Sequence, residues 1–311
     1  MTATRTGIVH LADPFVLECG EALHAAHVGF RVEGRHGPVV VVLGGISAGR
    51  SPTWWSQVGP GRAVDPGAVR VVGCDWIGGC GDSRGPLPGE RFPAITPRDQ
   101  ARAIMHALDT LSVETCTVVG CSYGGMVALA LAEIAPERVD HAVVIGAAHR
   151  PHARATAWRS VQRRILDLAE EIDDPRRGVA LARALALTTY RDDVDLDRRF
   201  SGRDVPIDHW LDRHAAHFAE ILSAASYRAL CASIDLHYVD PESVHVPTTL
   251  LGFEPDALAP AWLLDELAAR LPILAARHRV PTVHGHDGFL KEEGALDAIL
   301  RTVVPAARVA A

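Results

Sequence analysis

A serine flanked by two glycines stands between two apolar runs. The stretch Gly120-Cys121-Ser122-Tyr123-Gly124 follows TCTVVG (115–120) and precedes MVALALAEIA (126–135). A strand that enters a Gly-x-Ser-x-Gly turn and leaves as a helix is a nucleophile elbow, which lifts the serine hydroxyl above the edge of a sheet. The motif also occurs as a tight turn with a spectator serine. The flanking strand and helix favour the nucleophile, so Ser122 is the predicted site of covalent chemistry.

A nucleophilic serine needs a general base and an acid that orients it, and in this type of fold they follow in the order Ser, Asp, His. Asp256 comes after the apolar run TTLLGF (248–253), and His286 comes after VPTVHG (280–285). Both therefore lie just beyond the carboxyl ends of predicted strands, where open α/β sheets place their sites. The competing candidates are His284 for the base and Asp235 and Asp240 for the acid.

Acyl chemistry also needs two amide donors for the developing oxyanion. The backbone amide of Tyr123 is one, and the loop LGGISAG (43–49), through Gly45 and Ile46, is the predicted source of the other. A phosphate-binding role is the alternative for that loop, which lacks the Lys-Ser/Thr of a P-loop.

The elements that must position these residues alternate between strands and helices. Continuous apolar runs predict strands covered on both faces, at 28–33, 39–44, 69–75, 115–120, 141–147, 248–253 and 280–285. Thr96, Pro97 and Asp99 form a helix start signal, with a cap, a first-turn proline and a capping-box acid. This order predicts an α/β fold with a mostly parallel sheet.

The alternation stops between residues 151 and 235, where three long segments have helical period. We predict a helical lid over this range, inserted into a core formed by residues 1–150 and 236–311. In the first lid helix, one apolar stripe is predicted to face the protein. Its members are Trp158, Val161, Ile165, Leu168 and Ile172.

Composition narrows the class of protein. The chain has 311 residues, 48% of them hydrophobic, a formal charge of −7 and a pI near 6.1, which argues against a nucleic-acid partner. The absence of an apolar leader or a run of about 20 apolar residues predicts a soluble, cytoplasmic protein without a membrane partner. Because the cysteines show no CxxC pairing, we expect reduced thiols, no metal site and no cofactor. They are Cys19, Cys74, Cys80, Cys116, Cys121 and Cys231.

Several motifs of this chain resemble those of the homoserine O-acyltransferases of the α/β-hydrolase fold and occur in the same order. Within that family the chain is similar to the shorter enzymes, the homoserine O-succinyltransferases. Besides the elbow, followed by GGM, they include Trp54-Trp55, VVGCDWIGGCGDSRGP (71–86) and FPAITPRDQ (92–100). SVQRR (160–164), LTTYR (187–191) and SIDLH (233–237) resemble lid signatures, and HDGFL (286–290) the histidine segment.

The resemblance implies a ping-pong acyl transfer. Ser122, deprotonated by His286 with Asp256 behind it, attacks an acyl-CoA thioester, and the acyl-enzyme then meets the hydroxyl of L-homoserine. Arg163 and Tyr190 match lid residues that hold the amino acid, and Asp287 matches the residue that takes its ammonium group. By helical period alone Arg163 is a solvated surface arginine. The resemblance also implies a homodimer formed through the lid.

The acyl donor is a separate question, because a succinyl group carries a distal carboxylate that needs a cation. Arg50, after the oxyanion loop, and Arg84, in GDSRGP, are the candidates, although each can equally be a surface arginine. The short chain and the LGGISAG loop favour succinyl-CoA over acetyl-CoA. The alternatives are a homoserine O-acetyltransferase, a serine O-acyltransferase, a carboxylic ester hydrolase and a ligand-sensing receptor that retains the triad.

Overall fold

A computed structural model describes residues 4–79, 81–202 and 206–305 of the protein. Its centre is an eight-stranded sheet with the order β1-β4-β6-β5-β7-β8-β9-β10, in which β1, β4 and β6 pair antiparallel and the remaining neighbours pair parallel. The strands are β1 (Thr4–His10), β2 (Phe15–Val16), β3 (Ala22–Leu23), β4 (His27–Glu33), β5 (Val39–Leu43), β6 (Arg70–Cys74), β7 (Cys116–Cys121), β8 (Val139–Ile145), β9 (Thr248–Glu254) and β10 (Leu274–Pro281). The predicted fold class is confirmed.

Helices cover both faces of this sheet, so the central strands β5 and β7 are buried along their whole length. The helices are α1 (Pro97–Thr110), α2 (Tyr123–Ile134), α3 (Ala153–Glu171), α4 (Pro175–Tyr190), α5 (Asp193–Phe200), α6 (Ile207–Ile221), α7 (Ala224–Asp235), α8 (Ala261–Arg270), α9 (Gly288–Lys291) and α10 (Glu293–Val303). The start signal of α1 forms the predicted capping box, in which the side chains of Thr96 and Asp99 each accept the other's backbone N–H.

The last strand of the sheet differs from its prediction. The run VPTVHG was expected to be a strand, but β10 ends at Pro281 and begins at Leu274, in a stretch that carries Arg277, His278 and Arg279. β10 is an edge strand, paired only with β9, so polar side chains there remain in contact with solvent. Strands β1, β2 and β3 were not predicted, because each is short or exposed on one side.

Five helices, α3 to α7, lie between β8 and β9, where the lid was predicted. The third predicted lid segment is two helices, because the chain turns at Leu222 and Ser223 caps α7. The short helix α5 was not predicted.

The predicted apolar stripe of α3 is wrong for three of its five members. Leu168 and Ile172 are 60% and 63% exposed and Val161 is also exposed, whereas Trp158 and Ile165 are partly buried. The buried face instead includes Arg159 and Gln162, because α3 turns its polar side toward a cavity. The buried residues of α3 are Ala155, Arg159, Gln162, Leu166 and Ala169.

Five cysteines of the described residues are free thiols, and Cys80 lies outside those residues. Burial raises the pKa of Cys121, which precedes Ser122, so this thiol stays protonated and does not compete as a nucleophile. Within the described parts of the chain, every helix is too short or too polar to cross a membrane.

Candidate active site

Ser122 occupies a strained turn between β7 and α2. Its backbone has φ 56° and ψ −120°, a conformation that costs a non-glycine residue about 1–3 kcal/mol. Glycine is required on either side, because a Cβ at Gly120 would overlap the carbonyl of Gly124, and a Cβ at Gly124 would overlap the carbonyl of Leu43. Hydrogen bonds fix the turn, since Ser122 N–H donates to Ile145 O at 2.8 Å and Gly124 N–H donates to Gly44 O at 2.8 Å.

The structure brings Ser122, His286 and Asp256 into one hydrogen-bonded chain. The Ser122 hydroxyl lies 2.8 Å from His286 Nε2, and His286 Nδ1–H donates to Asp256 Oδ2 at 2.8 Å. The other carboxylate oxygen of Asp256 accepts the backbone N–H groups of Leu258 and Ala259, at 2.8 and 3.0 Å. Because the carboxylate fixes the proton on Nδ1, Nε2 is free to accept the serine proton.

The competing residues lie elsewhere. His284 faces Asp195 and Arg191, Asp235 ends α7, and Asp240 pairs with Arg270.

The surroundings of His286 act on its charge in opposite directions. Burial of the imidazole lowers the pKa of His286, but the charge of Asp256 and the hydrogen bond to it prevail, so the pKa is raised above its ordinary value. The rings of Tyr190 and Phe289 lie 6.0 and 5.8 Å from the imidazole, centroid to centroid, and hold its orientation.

The loop after β5 presents its backbone to the serine. Gly45, Ile46 and Tyr123 all line the space beside Ser122. The carbonyl of Gly45 accepts the indole N–H of Trp76 at 2.9 Å and the N–H of Ala48 at 2.9 Å. In a trans peptide the C=O and the following N–H point in opposite directions, so this anchoring turns the Ile46 amide away from Trp76. The Trp76 ring also packs edge-on against Tyr123, with centroids 5.0 Å apart.

A cavity of about 260 Å³ lies above the serine, between the sheet edge and the lid helices. Helix α3 contributes Trp158, Arg159 and Gln162, α4 contributes Arg183 and Tyr190, and α7 contributes Cys231 and Ile234. The triad therefore lies at one end of a space covered by helices α3, α4 and α7, and such a cover limits the access of water to the serine.

Comparisons with known proteins agree with the fold described above and identify relatives of the chain. A sequence profile described as alpha/beta hydrolase fold matches residues 38–293. A homoserine O-succinyltransferase from Xanthomonas campestris pv. campestris is 36% identical over 86% of this chain and 75% of its own length. A homoserine O-acetyltransferase from Thermus thermophilus is 36% identical over 83% of this chain and 73% of its own length.

The chain belongs to the homoserine O-acyltransferase family. A crystal structure of the homoserine O-acetyltransferase from Bacillus anthracis superimposes with a TM-score of 0.89 at 14% identity, covering 99% of both chains, and supports the α/β-hydrolase fold.

Two residues that resemble binding residues of the homoserine O-acyltransferase family line the cavity, namely Tyr190 and Asp287. The Tyr190 hydroxyl accepts a hydrogen bond from Arg183 Nη1 at 3.1 Å, and burial raises the pKa of Tyr190. Asp287 forms an ion pair with Arg191, with 2.8 Å between Oδ2 and Nε, so its charge is already partly compensated.

Arg163, matched to the same family, does not line the cavity. It is partly buried and pairs with Asp235, with 2.5 Å between Nη1 and Oδ2. Helical period predicted that Arg163 is a solvated surface residue, and this prediction is also wrong. The apolar stripe of α3 faces outward, so the opposite side of the helix, which carries Arg163, faces inward.

Arg50 and Arg84, the two arginines predicted to reach the acyl group, are not brought to the cavity. Arg50 is paired with Asp75 and Asp82. Arg84 donates to Glu90 at 2.5 Å and lies over the ring of Phe92. Each guanidinium already has acidic partners, so the loop after β6 uses both to hold its own conformation.

Three other arginines line the cavity and were missed by sequence reasoning, namely Arg150, Arg159 and Arg183. Arg150 forms an ion pair with Glu266, with 2.6 Å between Nη2 and Oε2. Arg159 is buried, lines the cavity and donates through Nε to Asp235 at 2.7 Å. Arg183 lies over the rings of Tyr190 and Phe218, 5.0 and 4.5 Å from their centroids, and has no carboxylate partner among the described residues. Its Nε is buried without a hydrogen-bond partner in that part of the chain. The one signal in the sequence that could have identified Arg159 is its position one helical turn before Arg163.

Proposed function

We propose that the protein transfers an acyl group from an acyl-CoA thioester to the hydroxyl of L-homoserine, through an acyl-Ser122 intermediate. The observation that carries this proposal is the complete serine triad at the end of an enclosed, lid-roofed cavity with charged residues suited to an amino acid. The 36% identity to named homoserine acyltransferases supports it.

The first half-reaction acylates the serine. His286 Nε2 takes the proton of Ser122, and Oγ attacks the thioester carbonyl carbon. The oxyanion that forms is stabilised by the amides of Ile46 and Tyr123. When the tetrahedral intermediate collapses, the C–S bond breaks and the CoA thiolate receives the proton from His286. Asp256 stabilises the imidazolium that exists between these two proton transfers.

The second half-reaction passes the acyl group to the acceptor. Asp287 receives the ammonium group of homoserine, and Tyr190 contacts its body. We assign its carboxylate to Arg159 in place of Arg163. Arg159 and Arg163 share the single carboxylate of Asp235, which leaves one positive charge on this cluster for an anion. The homoserine hydroxyl then gives its proton to His286 Nε2 and attacks the acyl carbonyl carbon. When the tetrahedral intermediate collapses, the bond between that carbon and Ser122 Oγ breaks, and Oγ takes the proton back from His286.

For the acyl donor we favour succinyl-CoA over acetyl-CoA. The arginine that we assign to the distal carboxylate of the succinyl group is Arg183, in place of Arg50 or Arg84. Arg183 is partly buried, lines the cavity and lacks an acidic partner among the described residues. A partly buried cation of this kind is stabilised by a bound carboxylate, and a succinyl group supplies one.

The test is a matrix of donors and acceptors read out by release of free CoA. Succinyl-CoA and acetyl-CoA are each combined with homoserine, serine or no acceptor. Homoserine-dependent release from succinyl-CoA supports the proposal, and equal release without any acceptor identifies a hydrolase instead. Arg183→Gln should lower kcat/KM for succinyl-CoA by a factor of about 10 to 150, the loss of roughly 1.5–3 kcal/mol for a charged hydrogen bond. The value for acetyl-CoA is the internal control, and an equal fall for both donors removes Arg183 from donor recognition.

The remaining features of the proposal concern the protein as a whole. We infer that it works as a homodimer in the cytoplasm, with acyl-CoA as a co-substrate and no bound metal or cofactor. Each proton of the proposed reaction passes through His286.

A further inference from the structure

A second depression, which we call the outer groove, adjoins the catalytic cavity. It has a volume of about 400 Å³ and is formed by α6 together with Ser47 and Arg183. Both of these residues also line the catalytic cavity, so the groove lies directly beside it. A substrate that extends from Ser122 past Ser47 and Arg183 would enter the groove.

The groove combines positive charge with an apolar floor. Arg213 and His214 are neighbours on α6, and His217, Phe218 and Ile221 follow them about one and two helical turns later on the same side. Arg213 is exposed and has no acidic partner in the described part of the chain. Glu220 lies beside His217 but also faces Arg176 and is not part of the groove wall. This cluster is notable in a chain with a formal charge of −7.

The size of the cavity decides which part of the donor needs a second site. A space of about 260 Å³ is at the lower limit for small-molecule sites and accommodates the acyl group and an amino acid. The nucleotide end of CoA carries several phosphate charges, which are costly to bury without cations. Arginine is the side chain best suited to phosphate oxygens, and it must lie outside the cavity but within reach of it.

We propose that the outer groove binds the phosphate-bearing end of the acyl-CoA donor. Arg213 contacts the phosphates, with ring N–H groups of His214 and His217 as further donors. Phe218 and Ile221 pack against the uncharged part of the same molecule. This inference rests on the proposed use of a CoA thioester.

The experiment compares two thioesters of the same acyl group, one with CoA and one with N-acetylcysteamine, which has no phosphates. In Arg213→Gln, the ratio of kcat/KM for acyl-CoA to that for the short thioester should fall about tenfold. Arg164→Gln removes the same charge from an exposed position on α3, outside both spaces, and should leave the ratio unchanged. An unchanged ratio in Arg213→Gln, or an equal fall in Arg164→Gln, overturns the inference.

Binding of free CoA separates this inference from the proposed function. Calorimetry on the Ser122→Ala variant requires no turnover, and adding Arg213→Gln should weaken CoA about tenfold, with a smaller dependence of Kd on salt. If CoA binds with the same Kd in both variants, or does not bind to Ser122→Ala, the groove is not its site. A protein that binds CoA through Arg213 but never acylates homoserine retains the inference and loses the function.

Discussion

The imidazole of His286 is buried among aromatic rings, yet in the proposed reaction it is the group that must change charge in every step. Burial alone would keep it neutral, because an imidazolium is poorly solvated in such a place. Asp256 reverses this preference with its charge and its 2.8 Å hydrogen bond, and its own position is fixed by two backbone amides. The site therefore stabilises the imidazolium form of His286. At acidic pH this leaves a smaller fraction of the neutral imidazole, which is the form that acts as the base.

The direction of this pKa shift predicts the pH dependence of acylation. The neutral ring is the base, so kcat/KM should fall as the pH drops through a pKa above the ordinary value of about 6.5. Asp256→Asn removes the charge, and its acid limb should move to lower pH while the maximal rate falls by about 10³ to 10⁴. A pH profile of kcat/KM for both proteins measures this. If the midpoint is the same in both, Asp256 does not set the pKa.

Residue types predicted the triad but not the arginines of the cavity. Ser122, Asp256 and His286 each follow a strand, so topology alone places them at one sheet edge. An arginine on a helix has no such constraint. Whether Arg159 or Arg163 reaches the cavity depends on the rotation of α3, and the position of Arg183 depends on its packing against Tyr190 and Phe218. From the sequence alone, Arg50 and Arg84 were equally plausible ligands of the acyl carboxylate. Their ion pairs with nearby acidic residues became visible only in the structure.

At the scale of elements, the loop after β5 owes its shape to the loop after β6. Trp76 follows β6 and binds the Gly45 carbonyl from one side, while the Gly44 carbonyl accepts the amide of Gly124. The two amide donors of the proposed oxyanion site therefore come from elements tied to each other by hydrogen bonds, and Trp76 is a positioning residue.

Trp76→Phe tests this role, because phenylalanine keeps the aromatic contact with Tyr123 but cannot donate to Gly45. We expect kcat to fall about tenfold with little change in KM, since only stabilisation of the transition state is lost. Steady-state kinetics give the split, and thermal unfolding checks that the fold persists. A purely structural role would lower the unfolding temperature and leave kcat per folded molecule as it was.

The predictions for β10 and α3 were wrong for the same reason. An apolar side chain indicates a buried position only where no other feature, such as a sheet edge or a charged cavity, determines which side of the element is exposed. β10 is charged because it is an edge strand, and its prediction was displaced toward the more apolar residues after it. Helix α3 exposes Leu168 and Ile172 because its polar side roofs a charged cavity. The buried parallel strands β5, β7 and β9 were predicted closely, because their continuous apolar runs have no competing explanation.

At the scale of the whole molecule, the lid carries apolar side chains on its outer surface. Leu168 and Ile172 of α3 and Leu181 of α4 are all more than half exposed. Helices α3 and α4 pack against each other. An outer surface of this kind is suited to a second copy of the chain.

The double variant Leu168→Glu/Ile172→Glu should therefore be a monomer of 33.3 kDa by light scattering, whereas we expect twice that mass for the unmodified protein. Burying each of these side chains contributes about 1.5–3 kcal/mol, and charges there oppose association. Val16→Glu, an equally exposed apolar position on β2, is the control and should leave the dimer intact. A monomeric unmodified protein, or a double variant that still dimerises, contradicts this interface.

The order of the site residues along the chain has a consequence for biosynthesis. Ser122 and its base are 164 residues apart, and the segment that carries the base is held to the first third of the chain, where Trp55 donates to Phe289 O and Gln57 donates to Glu293 O. At ~5–20 residues per second, a ribosome needs roughly 8–33 s to travel from the serine to the histidine. Throughout that time the nascent chain holds Ser122 without its proton acceptor, so the proposed acylation of the serine cannot begin. Synthesis of the segment that carries His286 is thus the event that makes the proposed chemistry possible.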